Sequence, residues 1–95
     1  MFHHIVFYKV KEPKEEIKQE MKRRFLEMPS VISQIKELHV GFDVLATERS
    51  CDVSLYVKFD SKEDFFAYKD HPFHVKVAEY IGTIKEASYS VDYID

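Results

Sequence analysis

An α+β fold, with one antiparallel sheet and its helices on a single face, is what this sequence predicts, and three observations predict it. Four segments alternate apolar and polar residues at the period of a strand. The stretches between the first and second of them, and between the third and fourth, carry apolar residues at helical spacing. Read along the chain, the patterns run strand, helix, strand, strand, helix, strand, within a length of 95 residues that suits one domain spanning residues 1–95.

From His4 to Val10 the run is β-branched and aromatic, with Ile5 and Phe7 on one face and His4, Val6, Tyr8 and Val10 on the other. Both faces carry enough apolar material for a central strand. Pro13 suits the first turn of a helix, and Ile17, Met21, Phe25 and Met28 follow on one helical stripe. This helix is expected to stop near Met28, because Pro29 disfavours a helical residue before it. Glu15, Lys18, Glu20, Arg23, Arg24 and Glu27 occupy its other side as a solvated charged surface.

After a Ser30–Ser33 connection, Leu38, Val40, Phe42 and Val44 alternate with Glu37, His39, Gly41 and Asp43 as a half-buried strand. A short polar loop, Thr47 to Ser50, joins it to Val53, Leu55, Val57 and Phe59, which alternate with polar neighbours as the second arm of a hairpin. Ser61-Lys62-Glu63-Asp64 has the form of a capping box with Asp as its fourth residue, opening a short helix that bears Phe65, Phe66 and Tyr68. His71-Pro72 breaks that helix. A further helical stretch carries Phe73, Val77, Tyr80 and Ile81, with Gly82 expected as its C-terminal cap, and Ala87 to Ile94 closes the chain as a strand.

This order matches the split βαβ plan of ferredoxin-like domains: β-α-β-β-α-β, a four-stranded antiparallel sheet with both helices on one face. Ile5, Phe7 and Tyr56 then fall on the second face, and no third layer remains in the chain to cover them. A second copy packed sheet to sheet would do so, which makes a homodimer the expected assembly.

Composition narrows the function classes. The net charge of −3 is mild and its Lys and Arg are interleaved with Glu and Asp, so no basic patch offers itself to nucleic acid. No apolar run reaches the roughly 20 residues of a membrane span, and the first residues lack the pattern of a secretory leader, so a cytoplasmic protein without a membrane partner is expected. Cys51 is the only cysteine, which rules out an internal disulfide and a cysteine-based metal site within one chain. The five His residues show no metal-ligand spacing, and with two Gly there is no phosphate-cradling loop; neither a metal nor a cofactor is expected.

Several stretches carry a resemblance: His4-Ile-Val-Phe, Ile35-Lys-Glu-Leu-His-Val-Gly41-Phe-Asp43, Val57-Lys-Phe59-Asp60, Tyr68-Lys-Asp-His71-Pro72-Phe-His74 and Val91-Asp92-Tyr93. Together they resemble the stress-responsive A/B barrel domain family, often called Dabb, over essentially the whole chain. The resemblance implies a dimeric α/β barrel in which two ferredoxin-like subunits pack their sheets together. Many members of that family have no established activity. One plant member, olivetolic acid cyclase, closes a linear polyketide by a cofactor-free aldol condensation. By that resemblance its catalytic His corresponds to His74, its Tyr partner to Tyr68 and a first-strand His to His4, while a further pocket His falls at Val53, so its substrate does not carry over.

The residues themselves allow a site at His74 and Tyr68. An imidazole with an ordinary pKa near ~6.5 can accept a proton near neutrality, and a phenol can support an oxyanion or orient the base. The structural alternative has His74 buttressing the helix after Pro72 and Tyr68 filling the core. His4 shares a strand face with Val6 and Tyr8, so a ligand pocket lined by His4, Tyr8, Phe25, Leu55, Tyr68 and His74 is expected between helices and sheet. His71, held extended before Pro72, is read as a helix terminator. Three functions follow: a homodimer binding a small apolar or aromatic ligand, a cofactor-independent enzyme of cyclase or isomerase type using His74 and Tyr68, or a stress-associated dimer with a collapsed cavity.

Overall fold

Seven elements follow one another in a computed structural model that describes residues 1–95: β1 (Phe2–Val10), α1 (Lys14–Val31), β2 (Glu37–Phe42), β3 (Val53–Phe59), α2 (Lys62–Asp70), α3 (Pro72–Ile84) and β4 (Lys85–Ile94). The strands form one antiparallel sheet in the order β2-β3-β1-β4, so the first strand is central, as its two apolar faces required. β1 pairs with β3 from Phe2 opposite Phe59 to Tyr8 opposite Val53, which puts Val6 beside Leu55 and His4 beside Val57 on the helix-facing side. Phe2, Val6, Tyr8 and Val10 there meet Val53, Leu55, Val57 and Phe59, and the layer is closed by Met21, Phe25 and Met28 of α1, Tyr68 of α2, and Val77 and Ile81 of α3. No helix is long and apolar enough to cross a membrane.

Several sequence expectations are corrected. α1 does not stop at Met28 but runs through Pro29 to Val31. The missing Pro N–H falls in the last turn, where the Ile32 N–H still reaches the Met28 carbonyl at 2.8 Å, the Ser30 hydroxyl donates to the Glu27 carbonyl, and the fully buried Ile32 ties the turn into the core. Gly82 is not a cap: it lies inside α3 without the positive φ of a helix-ending glycine, and the Lys85 N–H closes the helix on Ile81. Val44 leaves the sheet and is 90% exposed, because β2 ends at Phe42 and the connection to β3 takes residues 43–52, longer than the short loop expected. The charged side of α1 is only partly solvated. The Arg24 guanidinium, paired with Glu20 at 2.7 Å, lies 4.0 Å over the Tyr80 ring and joins α1 to α3.

The Ser61 cap and the helix end at His71 were legible. Ser61 accepts from the Asp64 N–H at 3.1 Å, and His71 ends α2 while its Nδ1 accepts from the Phe73 N–H at 3.0 Å to start α3. His71 is thereby a structural hinge between helices.

On the opposite face of the sheet, β1 and β4 pair Ile5 with Val91, Phe7 with Tyr89 and His3 with Tyr93. Phe7, Tyr89, Val91 and Tyr93 remain 42%, 57%, 57% and 44% exposed, a contiguous apolar surface. Beside it, His3 is stacked on Tyr93, donates from Nε2 to Asp95 at 2.9 Å, and accepts the Tyr56 hydroxyl proton at Nδ1 at 2.7 Å. His3 and His4 thus point to opposite faces, and His39, 2.8 Å from Glu37 and stacked on Tyr56, belongs to the same open face as His3.

Candidate functional site

Strand parity and one helix break build a cavity of about 250 Å³ between α2, α3 and the sheet. β1 sends His4, Val6 and Tyr8 into it, β3 sends Leu55, α1 sends Phe25, and the α2–α3 corner adds Tyr68 and His74. All six residues expected from the sequence to line a pocket do line this one. The break at Pro72 lets Tyr68, near the end of α2, and His74, in the first turn of α3, approach from different directions, with ring centroids 4.3 Å apart.

The hydrogen bonding fixes the chemistry of each group. His74 donates from Nδ1 to the Lys69 carbonyl at 2.9 Å, which leaves Nε2 as the acceptor of the neutral ring. Burial lowers the His74 pKa below its ordinary 6.5, the positive charge His4 can carry acts in the same direction, and the Lys69 carbonyl opposes them. His74 is therefore a neutral imidazole at pH 7. Tyr68 and Tyr8 are both buried, and burial holds both phenols well above their ordinary 10.0, so each stays a neutral O–H. Neither hydroxyl has a hydrogen-bond partner in the chain, and no fully sealed side-chain polar atom is left without one; the two hydroxyls face the cavity. His4, whose ring centroid lies 6.3 Å from that of Tyr68, donates from Nδ1 to the Asp92 carboxylate, which sits directly across the β1–β4 ladder.

Eight of the fourteen lining residues were not among the six expected: Val6, Val77, Ala78 and Ile81 of the apolar wall, and four of β4. Lys85, Ser88, Tyr89 and Ser90 of β4 form the outer rim, with the Lys85 ammonium 3.3 Å from the Ser88 hydroxyl, and Asp92 stands behind His4. The polar half of the β4 alternation was visible, but its pairing with His4 and Tyr8 depends on a register between residues more than 75 positions apart. Cys51 lies half-buried within the β2–β3 connection and does not line this cavity.

Set against known proteins, residues 2–95 match the model of the stress responsive A/B barrel domain family, Dabb. Among solved structures, a dimeric protein of unknown function with a ferredoxin-like fold from Bacteroides fragilis is 27% identical, covering 99% of this chain and 95% of its own, with a TM-score of 0.88. A protein from Arabidopsis thaliana is 23% identical, covering 100% and 95%, with a TM-score of 0.86. The hydroxynitrile lyase from Passiflora edulis is 18% identical, covering 99% and 92%, with a TM-score of 0.87. The last two likenesses concern the fold. No curated protein sequence matches the chain.

Proposed function

The chain belongs to the stress responsive A/B barrel domain family, and from that premise we propose that it is a homodimer, packed sheet to sheet, in which each subunit binds a small, largely apolar ligand in the cavity of His74 and Tyr68. One observation carries the binding function: Tyr8 and Tyr68 present unpartnered hydroxyls to a cavity otherwise walled by Phe25, Leu55, Val77 and Ile81. Hydroxyls that have no partner in the chain and open onto an apolar-walled cavity are free to orient a ligand that supplies the acceptor. The volume lies below the roughly 300–1,000 Å³ of drug-sized pockets, so a compound of about one ring fits its scale. The dimer rests on the exposed Phe7, Tyr89, Val91 and Tyr93, an apolar surface of the kind that interface cores bury, and on the dimeric state in which the Bacteroides relative is described.

Fragment screening by NMR on the intact protein tests the binding function, with shifts expected at Leu55, Tyr68, Val77 and His74. Fragment shifts that cluster elsewhere, or none at all, would refute it. Sedimentation at micromolar concentration should show two chains, and a soluble monomer would overturn the assembly.

The His74 tautomer favours a second function, proton transfer at an enolisable carbonyl compound. Nε2 of the neutral ring takes a proton from the carbon beside the carbonyl, the C–H electron pair moves onto the carbonyl oxygen as an enolate, and the Tyr68 O–H donates to that oxygen. Deuterium uptake at the methyl group of acetophenone, a simple ketone that exchanges slowly by itself, should be accelerated by the protein in heavy water and lost in His74→Gln. Equal acceleration by the variant would remove His74 from the chemistry and leave binding alone.

A further inference from the structure

The cavity has a chemical asymmetry that the apolar-ligand proposal does not use. Apart from the imidazoles of His4 and His74, its polar lining consists of hydroxyls and one ammonium. The Tyr8 and Tyr68 hydroxyls lie inside, the Ser88 and Ser90 hydroxyls lie on the rim, and Lys85 is the one lining residue that carries a full charge; no carboxylate lines the space. The acid nearest to it, Asp92, is engaged by His4. Lys85 has no carboxylate partner anywhere in the chain, and its ammonium rests 3.3 Å from the Ser88 hydroxyl at the cavity rim.

Lys85 reaches that position because the sheet is irregular there. Along β4, Ser88, Ser90 and Asp92 pair with Tyr8, Val6 and His4, so the even-numbered residues face the helices and the odd-numbered ones face the open side. Strict alternation would send Lys85 to the open side with Ala87. Instead the register shifts between Lys9 and Val10, which pair with Ala87 and Lys85, and Glu86 is passed over. The extra residue reverses the parity and places Lys85 opposite the fully buried, core-facing Val10. Bulges of this kind re-aim side chains beside sites.

On these grounds we propose that the ligand of this cavity is a small organic monoanion, a carboxylate on a compact apolar body, held with its carboxylate on Lys85 and Ser88 at the rim and its body between Phe25, Leu55, Val77 and Ile81. The inference rests on the binding function above and adds the charge of the ligand to it. A carboxylate meets the unpaired Lys85 charge and can accept from the Ser88 hydroxyl, whereas a cationic compound would face that ammonium with no carboxylate in the lining to offset it. Lys85 is here a specificity residue: it selects the anion without entering the chemistry of His74 and Tyr68.

Titration of the intact protein with benzoate and with its neutral near-isostere benzamide, followed by NMR, tests this. Benzoate is expected to bind at least tenfold more tightly than benzamide. Lys85→Met keeps the alkyl stem, should lower benzoate affinity about tenfold or more, the scale of a charge-assisted hydrogen bond, and should leave benzamide unchanged; Lys85→Arg should restore most of the loss. Ser88→Ala should weaken benzoate in the same direction. Equal binding of the two probes to the cavity, or benzoate binding indifferent to Lys85→Met, would overturn the anion preference while the binding function stands. Failure of both probes to perturb any cavity residue would overturn both.

Discussion

Truncating Phe25 to Ala measures how firmly the apolar wall of the cavity is held. The ring is 2% exposed, stacks on Tyr8 with centroids 5.8 Å apart, and separates the cavity from the α1 side of the core. Its neighbours Tyr8 and Leu55 are fixed by ladder hydrogen bonds in adjacent strands and cannot close over the vacancy. Phe→Ala in a site that does not collapse costs about 3–5 kcal/mol, and loss of the aromatic pair is part of that sum. Against a total stability on the order of 5–15 kcal/mol this is a large share, and at about 4–8 °C per kcal/mol for a domain of this size the midpoint should fall by roughly 12 °C or more. The assay is thermal and urea unfolding at one fixed protein concentration, because a dimer's midpoint depends on concentration. Leu26→Ala, the next residue on α1 and 51% exposed, is the control and should cost less than about 1 kcal/mol. Equal losses in the two variants would refute the helix phase and with it the wall of the cavity.

Three further outcomes are expected. Because the folded pKa of His74 lies below its unfolded value, the unfolded chain binds more protons between the two; stability from this site is full above about pH 6.5 and falls as pH drops through the folded value, and His74→Gln should flatten that part of a stability–pH curve. Ser61→Ala removes the acceptor of the Asp64 N–H and should cost about 1 kcal/mol in urea unfolding, while Ser61→Asp should retain most of the stability. A methyl group on Gly41 would stand 2.8 Å from the Ser54 hydroxyl oxygen across the β2–β3 ladder, so Gly41→Ala should destabilise and Ser54→Ala in the same chain should recover part of the loss; additive losses would show that the contact is not the cause.

What could be read from the sequence and what could not divide along a physical line. Strand parity and the helical stripe are local, and they were enough to place Tyr8, Leu55 and Phe25 on faces that converge, while the Pro72 break was enough to bring His74 onto Tyr68. The misread boundaries were those where a distant contact outweighs a local preference. Pro29 argues for a helix end, yet the burial of Ile32 holds the final turn of α1; Gly82 offers a cap, yet α3 continues to Ile84. Val44 continues an alternation that pairing with β3 no longer supports.

The charge of the cavity was hidden for the same reason. The closing strand was expected to begin at Ala87, which left Lys85 outside it, and only the irregular β1–β4 register at Glu86 turns it toward Ser88. Asp92 likewise looked like one polar residue in an alternating strand until the ladder set it across from His4. Walls are made by residues whose orientation follows from their own segment, whereas polar anchors are made where two segments meet. If Lys85 faces the cavity because Glu86 is passed over, regular alternation without Glu86 should hold the anchor by parity alone. Deleting Glu86 seats Lys85 directly before Ala87, where alternation keeps it opposite Val10 on the helix-facing side, so benzoate should bind about as tightly as to the parent chain, read by the same titration once unchanged amide shifts in β3 show the sheet intact. A loss of benzoate affinity as large as that of Lys85→Met in this folded variant would show that the rim cation depends on the irregular backbone itself and not on the face that Lys85 occupies.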